Sequence, residues 1–170
     1  MIEWIQEQLQ SDHDNPVRKK GNGLHRDFMV NRKIAVECLD KMQESFSEEG
    51  IKVTLTDILL LAVSMARRDG RAGKLIANCI SDDADPKDRR GIIRFTEIGE
   101  KNLAYLFSEA IDEIGAENAI DFAAVASLWE KWADDGLKIL YCNYYSRYFN
   151  LSPSRFFDML INAEMENSQK

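Results

Sequence analysis

Arginines and lysines gathered in three clusters are the side chains of this sequence with the plainest chemical use. Arg18, Lys19, Lys20, Arg26, Arg32 and Lys33 form the first, Arg67, Arg68, Arg71 and Lys74 the second, and Lys87, Arg89, Arg90 and Arg94 the third. Each has one acid beside it, at Asp27, Asp69 and Asp88. Brought to one face, such cations hold phosphates without reading bases. Arg18, Lys19, Lys20, Arg67, Arg68, Arg71, Lys74, Lys87, Arg89 and Arg90 are therefore candidates for a nucleic-acid contact. The competing reading is that Arg68, Arg71 and Arg94 pair with acids of neighbouring helices, as most surface charges do with little energetic effect. Net charge is −7, and residues 95–170, with 6 Lys/Arg against 13 Asp/Glu, carry all of it; residues 1–94 hold 16 of each. The acidic half repels a polyphosphate.

A second group is aromatic. Trp129, Trp132, Tyr141, Tyr144, Tyr145, Tyr148, Phe149, Phe156 and Phe157 crowd into the last third of the chain. Most aromatics of this kind build core. Tyr141, Tyr144, Tyr145 and Tyr148, however, follow at i, i+3, i+4 and i+7, which lines four phenols along one edge of a helix. With Trp132 they are candidates for a partner interface, since such surfaces favour Tyr and Trp.

The remaining chemistry is sparse. His13 and His25 sit in a polar stretch with no cysteine nearby and no helical i, i+4 partner, so solvated imidazoles are expected rather than metal ligands. No nucleophile elbow, HExxH, Walker or dinucleotide motif occurs. Gly70-Arg71-Ala72-Gly73-Lys74 lacks both the preceding strand and the Ser/Thr that a phosphate loop needs, and a glycine-ended helix explains it. Asp82, Asp83 and Asp85, and the pair Asp134/Asp135, read as solvated charge. No catalytic residue, metal or cofactor is expected. Cys38, Cys79 and Cys142 are odd in number and contain no CxxC, which suggests reduced, mostly buried thiols. No leader and no span of roughly 20 apolar residues is seen, so the cytoplasm is the expected compartment.

The elements that must position these groups follow from hydrophobic period. Ile2, Ile5 and Leu9 have helical spacing, and the polar run to residue 30, with Pro16, Gly21 and Gly23, predicts an arm ahead of one domain over 31–170. Ile34, Cys38, Met42 and Phe46 predict a helix from about Asn31 to Glu48, ended by Gly50. Thr54 and Asp57 cap an apolar helix from Leu55 through Ala66 that should lie at the centre of the body. IIRF suggests a short strand. Stripes through Leu103–Ile114 and Ile120–Ala133 predict two helices ending at Gly115 and Gly136. Ser152-Pro153 opens a last helix. The sum is a mainly all-α fold, a single-domain bundle of six or seven helices with at most one short strand pair.

The succession IKVTLTDILLLAVSMARRDGRAGKL, GIIRF, LAYLFSEAIDEIG and WEKWADDGLKIL, over about residues 51–145, resembles the small bacterial proteins associated with the Dnd DNA phosphorothioation system. The features shared are the Thr54/Asp57 cap, the basic turn at Gly70 and Arg71, and the later turns at Gly115 and at Ala133, Gly136, Leu137 and Leu140. The arm before Asn31 and the helix after Asn150 extend beyond that pattern. The resemblance implies an accessory protein of a prokaryotic anti-phage or restriction-modification system and no catalytic residues. Together these readings predict a non-enzymatic adaptor that binds a larger protein of such a system. The alternatives are a DNA-binding module contacting phosphates and, third, a small metal-dependent nuclease. Self-association is left open.

Overall fold

The computed structural model of the chain describes residues 3, 6, 7, 23–71 and 84–167. Most of the helix expected over the first ten residues, together with Arg18, Lys19, Lys20, Lys74, His13 and the Arg71 side chain, lies outside the described residues. The described body is mainly helical, with one two-stranded antiparallel sheet.

Strand β1 (Asp27–Asn31) alternates buried Phe28 and Val30 with Asp27 and Met29. Leu24, Phe28 and Val30 are at most 2 % exposed and belong to the common core. Residues 23–30 thus join the helical body, and the expected arm boundary at residue 30 falls inside a strand. β1 pairs with β2 (Arg89–Arg94) in the register Phe28↔Ile93, Met29↔Gly91, Asn31↔Arg89. Ile92 is the extra residue of the resulting bulge, which is why the alternation of IIRF is imperfect.

Asn31 ends the strand and starts helix α1, its side chain accepting from the amides of Lys33 and Ile34. α1 has three continuous pieces: Arg32–Ile34, a wider π-helical stretch Ala35–Asp40, and Lys41–Glu48. Gly50, at φ 70, turns the chain out of it in the left-handed conformation that costs glycine least. Helix α2 (Leu55–Arg71) begins with a reciprocal cap, as expected. Thr54 Oγ1 accepts from the Asp57 amide at 3.1 Å, and Asp57 Oδ2 accepts from the Thr54 amide at 2.9 Å. One-turn helix α3 (Phe95–Ile98) and α4 (Glu100–Ile114) follow β2, and α4 ends at Gly115, φ 81.

Helix α5 (Phe122–Ile139) runs straight into a π-helical stretch, Leu140–Phe149, and α6 (Pro153–Asn167) opens after the Ser152 cap. The expected stop at Gly136 is therefore corrected: Gly136 lies inside α5. A Cβ there would fall 1.7 Å from the Ala62 carbonyl oxygen. Gly136 is where α2 and α5 touch backbone to backbone, so its lack of a side chain serves packing rather than termination. α2 holds the expected central place, with Ile58, Leu59, Ala62, Val63, Met65 and Ala66 buried, although Leu60 and Leu61 are only partly so. Trp129 is fully buried among Phe95, Phe107 and Phe122, with its indole N–H donating to the Leu106 carbonyl at 2.9 Å.

Cys38 is a free, buried thiol, which burial pushes up to about 12. Cys142 departs from the expectation of reduced thiols: it is disulfide-bonded. Among the described residues no helix is long and apolar enough to cross a membrane.

Candidate functional site

Among the described residues, two networks of charge tie the main elements together. The first centres on Arg67, whose side chain is only 7 % exposed. Its guanidinium lies over the Trp132 ring, 4.5 Å from the centroid. Its Nε donates to Glu109 at 2.8 Å and its Nη1 to Glu113. Burial acts to lower the pKa of this arginine, but the hydrogen bonds to Glu109 and Glu113 outweigh it and the net shift is upward. Its Nη2 is buried without a hydrogen-bond partner among the described residues. The clasp exists because α2, α4 and α5 converge here: Arg67 comes from the first, the glutamates, one turn apart, from the second, and Trp132 from the third. A desolvated cation–π contact of this kind is worth about 2 kcal/mol.

The second network ties the sheet to α5. Glu130 and Asp134 stand one helical turn apart and accept the outward-facing amides of Met29 at 3.0 Å and Asn31 at 2.8 Å. The match is geometric: four residues of helix rise about 6 Å and two of strand about 6.6 Å. Two carboxylates on α5 thereby satisfy the edge of β1 that β2 does not pair, a substitute for a third strand. Arg26 pairs with Glu130 at 2.6 Å, and Arg89 with Asp134 at 2.8 Å while also donating to the Met29 carbonyl. Glu130, 6 % exposed, is raised in pKa because burial outweighs the Met29 amide and the two arginines. Asn31 completes the network by donating to the Asp85 carbonyl at 2.7 Å.

The candidate residues fall into place around these networks. Arg67 and Trp132, drawn from two different expected surfaces, meet in one clasp. Arg68 and Tyr144 do likewise, the guanidinium donating to the phenol oxygen at 3.0 Å. Arg89 is taken by Asp134. Arg90 grips both oxygens of Asp40, at 2.6 and 3.0 Å, and those hydrogen bonds raise its pKa despite partial burial. Lys87 is exposed, in the turn before β2. Arg67, Arg68, Arg89 and Arg90 thus each hold a different partner.

The tyrosines are divided as well. Tyr145 is buried, stacked between Tyr141 at 5.1 Å and Phe149 at 4.9 Å, with its hydroxyl bonded to Ser45 of α1. Tyr141 is partly buried beneath the Lys41 ammonium, and burial followed by the nearby Cys38 raises its pKa. Tyr144 and Tyr148 are partly exposed. Further along the chain, Leu151 is 65 % exposed and Ile161, on α6, 56 %.

Glu130 escaped the sequence reading, and Asp134 was read there as solvated charge. The signal that finds them is the i, i+4 spacing of two acids inside the apolar stripe of Val125, Ala126, Trp129 and Ala133, a place where an unpaired carboxylate is costly. Among the described residues no three His, Cys, Asp or Glu side chains converge as a metal site. Comparison with protein-family models, with curated proteins and with solved structures finds no match to this chain.

Proposed function

We propose that this chain is a non-enzymatic adaptor that binds a larger protein through the edge carrying Tyr144, Tyr148, Leu151 and Ile161. The observation that supports this reading is the exposure of Leu151, in the turn between the π-helical stretch and α6, and of Ile161 on α6, two helices that pack on each other, together with the partly exposed Tyr144 and Tyr148 four residues apart. Single exposed apolar residues such as Val36 and Ile120 are ordinary. Two of them in one region that also carries partly exposed phenols and exposed Arg147, Arg155 and Asp158 have the composition of an interface.

The resemblance over about residues 51–145 suggests the setting: a DNA-modification-linked, phosphorothioation-type anti-phage defence system. The DNA-binding alternative draws less support, because Arg67, Arg89 and Arg90 already hold carboxylates and would have to give them up to reach phosphate. Affinity purification of the tagged chain from its native host, under gentle conditions, tests the adaptor reading. A stable partner is expected in stoichiometric amount; recovery of the chain alone contradicts it.

A further inference from the structure

Between Asp135 and Glu164 the sequence holds a single acid, Asp158, against Lys138, Arg147 and Arg155. This is a cationic break in residues 95–170, the part of the chain that carries the whole net charge of −7. Arg26, Arg67, Arg89 and Arg90 each hold a carboxylate. Arg147 and Arg155 are exposed and hold none among the described residues.

The two arginines share their stretch with the exposed apolar residues. Arg147, on the π-helical stretch, lies four residues before Leu151, and Arg155 four after it. The Leu151 and Ser152 amides both donate to the Tyr148 carbonyl at 3.1 Å, which turns the chain, and the Ser152 carbonyl and hydroxyl accept the Arg155 amide at 3.1 and 3.3 Å, which starts α6. At about 100° per residue, Ser154, Arg155, Asp158, Ile161 and Asn162 span about 120° of the α6 circumference. All five are exposed, and Phe156 and Leu160 on the opposite side are buried. Acidic side chains of a partner would meet the two guanidiniums, and apolar ones would cover Leu151 and Ile161. A nucleic-acid backbone would use the arginines and leave the apolar side chains in water. We propose that the occupant of this edge is an amphipathic segment of the partner protein in which Asp or Glu flanks apolar residues. This inference rests on the adaptor reading and names the chemistry of the partner.

Selection of a displayed library of random peptides on the full chain, followed by fluorescence anisotropy of the selected peptides, tests it. The enriched peptides are expected to combine Asp or Glu with Leu, Ile or Phe. They should lose at least ten-fold in affinity with Arg147→Glu/Arg155→Glu and with Leu151→Glu/Ile161→Glu, and keep most of it with Arg147→Lys/Arg155→Lys, since the attraction is one of charge. Peptides without acids, lost with Leu151→Glu/Ile161→Glu and indifferent to Arg147→Glu/Arg155→Glu, would leave the adaptor edge standing and overturn the acidic partner. No enrichment, or enrichment indifferent to both pairs, would overturn the adaptor edge as well. Sedimentation of the chain with phosphatidylserine vesicles, or as a dimer by itself, abolished in either case by Leu151→Glu/Ile161→Glu, would put a membrane or a second copy on this edge and overturn the proposal too.

Discussion

Arg67 condenses the energetics of the site into one side chain. A buried guanidinium is tolerable only while its carboxylates remain, and removing them strands a charge at a cost of about 3–5 kcal/mol, whereas replacing the cation by an apolar side chain of similar length is often close to neutral. Glu109 and Glu113 are 25 % and 45 % exposed, so water rehydrates them if Arg67 is removed. Arg67→Met is therefore expected to be milder than the double change Glu109→Gln/Glu113→Gln by about 2 kcal/mol or more, read from urea denaturation. The reverse order would mean that the clasp does not govern stability here. Glu130 yields a pH prediction. Its folded pKa lies above the unfolded value of about 4.3, so its stabilising contribution is complete below that value and is lost as pH rises through the folded pKa. Asp135 shifts in the same direction, chiefly through burial. Across about pH 4 to 7, thermal melts of Glu130→Gln should fall less steeply than those of the wild type, leaving the smaller slope that Asp135 contributes. An unchanged slope would contradict the account of Glu130.

At the level of elements, the crossing of α2 and α5 is the tightest constraint. Gly136→Ala drives a methyl into the Ala62 peptide, and the helices must separate. Overpacking of this kind costs about 1–3 kcal/mol, which in a chain of this size lowers the melting temperature by roughly 2–4 °C per kcal/mol. Calorimetry showing no loss would mean that the helices are not in backbone contact. The same position marks the limit of what the sequence discloses. Caps and turns were legible because their signals are local: Thr54 with Asp57, Gly50 and Gly115 with positive φ, and Ser152 before Pro153. Gly136 looks like any terminator until Ala62 is known to lie against it. β1 was missed because apolar Met29 stands between Phe28 and Val30 and hides their alternation, and because its other edge is satisfied by side chains more than a hundred residues later. The basic clusters were visible, whereas their carboxylate partners sit on other elements and emerge only on folding.

For the whole molecule, the consequence of these pairings is a division of labour. Paired charge clasps α2 to α4 and α5 and the sheet to α5, while Leu151 and Ile161 expose apolar surface after the π-helical stretch and on α6. The adaptor reading and the phosphate-contact reading therefore predict different sensitivities. The most direct measurement is the amount of partner recovered with the tagged chain from its host, compared between Leu151→Glu/Ile161→Glu and Lys87→Glu/Arg94→Glu. The account predicts at least a ten-fold loss for the first pair and wild-type recovery for the second. Undiminished recovery with Leu151→Glu/Ile161→Glu, and loss with Lys87→Glu/Arg94→Glu, would contradict it.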